Sequence, residues 1–197
     1  MTLQAGSSYP VVFDIEYPDG PQNRLKAVFR IILAIPILIL VRTITGGAQS
    51  GSLIFGPALM IIFRQKYPRW WFDFNVELAR FNARIGAYLS LLREEYPSTD
   101  DRQAVTLNYE YPDVERDLNR WMPLVKWILA IPHYIVLVLL GVVAILAIVA
   151  AWFAILITGN FPRGLFDYVV GVGRWFYRVQ AYAFLLTTDK YPPFSLK

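Results

Sequence analysis

The chain has 197 residues, 56% of them hydrophobic and 17% charged, with no cysteine and a mean hydropathy of +0.40. A soluble domain usually carries about a quarter charged residues, so an ordinary soluble fold is disfavoured. Without thiols there is no disulfide framework, thiolate metal site or cysteine nucleophile, and the net charge of +4, with no dense Lys/Arg cluster, points to anionic lipid headgroups and away from nucleic acid.

Residues 1–8 read as a polar tail. The opening MTLQAGSSYP has neither a basic n-region nor an apolar h-region, so internal apolar segments are expected to direct insertion. VVFDIEY at 11–17 partly alternates apolar and polar residues, as a half-buried strand does, and the Tyr17-Pro18 step ends it. NRLKAVFRIILAIP at 23–36 opens an apolar stretch that lasts to Thr45. GGAQSGS at 46–52 then marks a turn, and LIFGPALMIIF at 53–63, short and containing Pro57, makes a second leg that is tilted or re-entrant. Arg24, Lys26 and Arg30 precede this hairpin, Arg64, Lys66 and Arg69 follow it, and only Arg42 lies near the turn. The positive-inside tendency puts both of its ends in the cytoplasm. A helix is expected over 70–93, whose turn gathers Asp73, Glu77, Arg80 and Arg84 within about 60° of one another.

The same order then returns. IEYPD at 15–19 and YEYPD at 109–113 stand 94 positions apart (109 − 15), as do YPRWWFDF at 67–74 and FPRGLFDY at 161–168 (161 − 67). NRLKAVFRIILAIP and NRWMPLVKWILAIP are 96 apart (119 − 23). The matched blocks indicate one unit present twice, as residues 9–98 and 103–195. In the second copy VTLNYEY at 105–111 is the strand. The apolar run over 124–157 would be about 50 Å long as one helix, beyond a hydrocarbon core of about 30 Å. Either its first third lies along the interface or it folds back near Gly141, and the first copy favours folding back. Arg116, Arg120 and Lys126 precede this run and Arg163 follows it. A single crossing per unit would instead invert the copies and place one set of arginines outside. The last helix, over 165–187, sets Asp167, Arg174 and Arg178 where the first has Asp73, Arg80 and Arg84, with Gly171 in place of Glu77.

The expected fold is a mainly α membrane protein of two tandem pseudo-symmetric repeats, each a short β segment, a helical membrane hairpin and an amphipathic interfacial helix. The stripe Asp73, Glu77, Arg80, Arg84 and its counterpart Asp167, Arg174, Arg178 read in two ways. The stripes face water or headgroups and pair internally, Glu77 with Arg80 and Arg84. Alternatively they face each other across the pseudo-twofold and line a polar seam able to hold a lipid phosphate. His133, the only histidine, reads as an interfacial, satisfied side chain; a pigment or haem ligand is the alternative, weakened because the first copy has Ile37 there. No P-loop, GxSxG, HExxH or dinucleotide glycine pattern is present, so no enzyme, cofactor or metal is expected.

Taken together, the IEYP/YEYP openings, the ILAIP segments, the FPR–FDY–R–R helix and the ending LLTTDKYPPFSL resemble an uncharacterised family of bacterial integral membrane proteins, domain of unknown function 4389. The resemblance implies a multi-pass protein of the bacterial inner membrane with a duplicated domain, and it implies no reaction and no active-site roles. The expected function is a non-catalytic accessory or scaffold subunit of a larger membrane assembly, with cytoplasmic termini. Its partners would be anionic lipids and other integral membrane proteins, met through Gly171, Gly173, Ala147, Ala150 and Ala151. The alternative is a lipid- or anion-binding or small-solute conducting protein using the seam; an enzyme acting on lipid is a third class.

Overall fold

The computed structural model describes residues 9–45 and 49–197. In chain order the elements are β1 (Val11–Ile15), α1 (Arg24–Val28), α2 (Arg30–Thr45), α3 (Gln49–Arg64), α4 (Arg69–Leu89), β2 (Val105–Tyr109), α5 (Val114–Asp117), α6 (Met122–Leu129), α7 (Ile131–Thr158) and α8 (Arg163–Ala183). The protein is mainly helical, as its composition predicts.

β1 and β2 form an antiparallel ribbon with Val11 opposite Tyr109, Phe13 opposite Leu107 and Ile15 opposite Val105. The alternation read in the sequence is the alternation of burial: Val11, Phe13 and Ile15 face inward, Val12 and Asp14 outward. A lone two-stranded ribbon is only marginally stable. Here α8 packs on β1 and α4 on β2, and Phe72, Val76, Phe166 and Tyr177 share one core with Phe13 and Leu107.

The turn expected near Gly141 does not exist. α7 runs unbroken for 28 residues, about 42 Å at 1.5 Å per residue. A single glycine costs a helix only about 1 kcal/mol relative to alanine, and the residues around Gly141 supply neither a proline nor a polar cluster to break it. The apolar run divides earlier instead, at Ala130, because Pro132 sits in the first turn of α7, where a missing N–H is harmless. α7 ends at Gly159, whose φ of +80° and N–H to the Ile155 carbonyl (2.8 Å) make a left-handed cap. In the first half Pro36 lies inside α2. Of the expected GGAQSGS turn, residues 46–48 lie outside the described residues, and α3 has already begun at Gln49.

α4 and α8 begin after Pro68 and Pro162, slightly ahead of the expected starts at 70 and 165. Both end a few residues early, before Leu91 (φ +63°) and Leu186 (φ +56°) turn the chain left-handed. This conformation is uncommon for a branched apolar residue; both side chains are buried, and packing holds them there.

The apolar helices cross over between the halves: the C-terminal part of α7 packs on α1, and α3 packs on α6. The outer faces are bare. Ile31, Ile32 and Ile39 on α2 and Ile135, Leu139, Leu146, Phe153 and Ile157 on α7 are exposed. Among the described residues α7 alone is long and apolar enough to cross a membrane.

Candidate functional site

The ladder sets the site. Glu16 donates to the Ala104 carbonyl at 3.1 Å and Glu110 to the Pro10 carbonyl at 3.0 Å, so the pairs that exchange hydrogen bonds alternate around Phe13–Leu107. The carbonyls of those two residues therefore point out from the two edges of the ribbon. Each edge is closed by an arginine. Arg80 on α4 donates through Nε to the Leu107 carbonyl and through Nη2 to Asn108 Oδ1, both at 2.8 Å. Arg174 on α8 donates through Nε to the Phe13 carbonyl at 3.2 Å and through Nη2 to Asp14 Oδ1. A guanidinium suits this task because its donors form a rigid fork. Thus the helix of each half secures the strand of the other.

The other stripe residues are used locally. Glu77 pairs with Arg80 but not with Arg84, which donates to the Ser98 carbonyl at 2.6 Å. Arg178, buried on α8, donates to the Ser195 carbonyl at 3.2 Å and to the Lys197 carbonyl. These two arginines fasten the chain that follows each helix. Asp73 pairs with Arg69 at 3.1 Å and Asp167 with Arg163 at 3.2 Å, all four more than half exposed. Arg69 also lies 4.6 Å from the Tyr111 ring and Arg163 4.5 Å from the Tyr17 ring. The Tyr111 hydroxyl donates to the Tyr67 carbonyl at 2.6 Å, and the Tyr17 hydroxyl to the Phe161 carbonyl. Among the described residues no hydrogen bond or ion pair joins the α4 stripe to the α8 stripe. Arg80 and Arg174 face strand edges instead of each other.

Two buried cations were not singled out by sequence reasoning. Lys126 on α6 is 1% exposed; its Nζ meets Asp189 Oδ1 at 2.7 Å and the Thr188 carbonyl at 2.8 Å, 5.2 Å from the Tyr182 ring. Arg30 is 2% exposed; its Nη1 donates to the Arg93 carbonyl at 3.0 Å, and its guanidinium lies 4.2 Å from the Tyr88 ring. Both are the eighth residue of the repeated phrase, NRLKAVFR and NRWMPLVK. A charge kept at one place in a twice-written apolar phrase was the available signal.

His133 is fully buried, and among the described residues its Nε2 has no hydrogen-bond partner. The Trp175 Nε1–H donates to its Nδ1 at 3.0 Å, and the Phe194 ring stacks on it at 4.1 Å. Gly171 and Gly173, expected at a partner interface, are covered by the chain itself: a Cβ there would lie 2.9 Å from the Leu196 carbonyl oxygen and 2.7 Å from Phe13 Cε1. Beneath the ribbon, burial holds the Tyr109 and Tyr177 phenols well above their ordinary pKa. A cleft of about 690 Å³ lies where the chain leaves α3, walled by Arg64, Lys66, Tyr67, Tyr111, Asp113 and Glu115. Its charges are mixed, and it has no clear preference for one ion.

No curated protein and no solved structure matches the chain. Residues 120–195, which hold α6, α7, α8 and the tail after them, match a family described as a domain of unknown function, DUF4389.

Proposed function

We propose that this is a duplicated, non-catalytic integral membrane protein of the bacterial inner membrane, serving as an accessory or scaffold subunit of a larger membrane assembly. The observation that carries the reading is the uncovered apolar face. In the most apolar window of α7 only 17% of the residues are buried, and the exposed isoleucines of α2 continue the same kind of surface. A soluble monomer rarely exposes an apolar patch larger than a few hundred Å². Lipid, or the apolar flank of another membrane protein, is the natural cover.

Duplication is supported by position. Arg80 and Arg174 are 94 apart (174 − 80), as are their acceptors Phe13 and Leu107 (107 − 13). Because Phe13 pairs with Leu107 itself, a pseudo-twofold axis passes between them, as at an isologous interface. α2 and α3, 16 residues each and about 24 Å long, would add passes only by re-entering or by local thinning of the bilayer. The multi-pass placement with cytoplasmic termini depends on them. The exposed Arg69–Asp73 and Arg163–Asp167 pairs are set to meet headgroups, with anionic lipid favoured by the net charge.

Isolation from native membranes in mild detergent, with co-isolated proteins identified by mass spectrometry, tests the scaffold role. A constant set of integral membrane partners is expected; recovery of the chain alone in every preparation would remove the role. Since Gly171 and Gly173 are covered, substitutions that release a partner are expected on the outer faces of α2 and α7, such as Ile39→Asn, and not on α8.

A further inference from the structure

We propose that the groove between α1, the start of α2 and the C-terminal half of α7 holds one acyl chain of an anionic phospholipid, with the lipid phosphate against Arg30. The proposal rests on the membrane reading above. The groove has a volume of about 400 Å³, and its walls include Val28, Ile31, Leu89, Ile148, Val149 and Phe153 beside Arg30. The apolar part suits a hydrocarbon chain. The arginine decides which headgroup comes with it.

Arg30 is 2% exposed, yet among the described residues its Nε and Nη2 have no hydrogen-bond partner and it forms no ion pair. Its answered contacts are the Arg93 carbonyl and the Tyr88 side chain, through both its ring face and its hydroxyl. Glu94 acts on it through space; its Oε1 accepts from the Asn23 N–H as the Asp189 carboxylate accepts from the Asn119 N–H, but among the described residues it forms no ion pair with Arg30. A buried cation with open donors is costly unless an anion completes it, and a phosphate offers the forked acceptor a guanidinium fits.

The other half is the internal control. There the corresponding cation, Lys126 (126 − 30 = 96), has its carboxylate, Asp189, at 2.7 Å. Larger side chains also stand in the corresponding place: Phe55 and Trp127 take the positions of Val149 (149 − 55 = 94) and Ile31 (127 − 31 = 96), with their ring centroids 5.3 Å apart. The cation of one half is ion-paired; that of the other keeps open donors. The depth agrees. Trp152, also in the wall, lies six residues before the end of α7 at Thr158, about 9 Å along its axis. If α7 spans a bilayer, that is where phosphate and glycerol meet the acyl chains.

Native mass spectrometry of the full chain extracted from membranes, offered phosphatidylglycerol and phosphatidylcholine of equal chain length, tests this. The wild type is expected to retain one phosphatidylglycerol with roughly tenfold preference, the effect of one charge-assisted contact. Arg30→Gln should bring the two lipids to near parity. The double variant Ile31→Trp, Val149→Phe, which copies the larger side chains of the other half and leaves Arg30 in place, should lose the retained lipid. Arg116→Gln, at a side chain 85% exposed, should leave the preference unchanged. Equal retention by the wild type, retention by the filled variant, or a free fatty acid found in place of the phospholipid overturns the proposal while the membrane reading stands. Recovery of the chain in the soluble fraction overturns both.

Discussion

Lys126 is buried to 1% exposure, and such a cation is tolerated only with its charge answered. Asp189→Ala is therefore expected to lower stability by about 2 kcal/mol, below the full cost of a buried unpaired charge because Asp189 is 22% exposed. Lys126→Met, which removes the charge and keeps the stem, should cost less than Asp189→Ala. Thermal unfolding in detergent ranks the two, and the reverse order would contradict the assignment. Tyr109 and Tyr177 are held neutral by burial, whereas in the unfolded chain each ionises near pH 10. Their contribution is complete below that pH and is lost as pH rises through 10 and above. Unfolding midpoints of the wild type should fall on that side, and Tyr177→Phe should flatten the fall. At this scale the sequence was half legible. Arg80 and Arg174 stand out because a helical turn places them in a stripe. Their acceptors do not, since the Leu107 and Phe13 carbonyls are 27 and 161 positions away and backbone atoms leave no trace in a residue pattern.

Among the elements, the strands were readable because alternation is a local signal, and α4 and α8 because charged residues recur there at helical spacing. The expected turn at Gly141 failed because one glycine is a weak breaker in a run whose neighbours all favour continued helix or apolar burial. Among the described residues nothing outside the helix's own backbone lies within 4 Å of a Cβ added at Gly141 or Gly86. Gly141→Ala and Gly86→Ala should each raise stability, by up to about 1 kcal/mol. A loss of stability in Gly141→Ala would point to a bend there after all. Gly173→Ala should have the opposite sign, about 1–3 kcal/mol destabilising, because Phe13 must move. The cysteine-free chain allows the ribbon to be tested by pairing single thiols. Val12→Cys with Asn108→Cys, which face each other on the outer surface, should be bridged within one chain by a short bis-thiol reagent. Val12→Cys with Thr106→Cys, two residues out of register, should bridge less well; the opposite preference would displace the axis.

The molecule as a whole is two halves that exchange supports: α4 secures β2, α8 secures β1, α7 reaches α1 and α3 reaches α6. The matched blocks in the sequence did not foretell this crossing, because likeness between two stretches does not say which surfaces they share. The arrangement leaves the apolar faces of α2 and α7 outside and sets the arginine clasps at the edges of a ribbon whose inner face is apolar. What covers α7 decides whether the protein crosses a membrane. The direct measurement is the bilayer depth of single spin labels at Ile135, Leu146 and Ile157, all exposed on α7, in the full chain reconstituted into vesicles. Spanning predicts greatest depth at Leu146 and shallow, interfacial values at both ends. Equal shallow depth at all three would lay α7 along the membrane surface, and water-exposed labels throughout would contradict the membrane reading altogether.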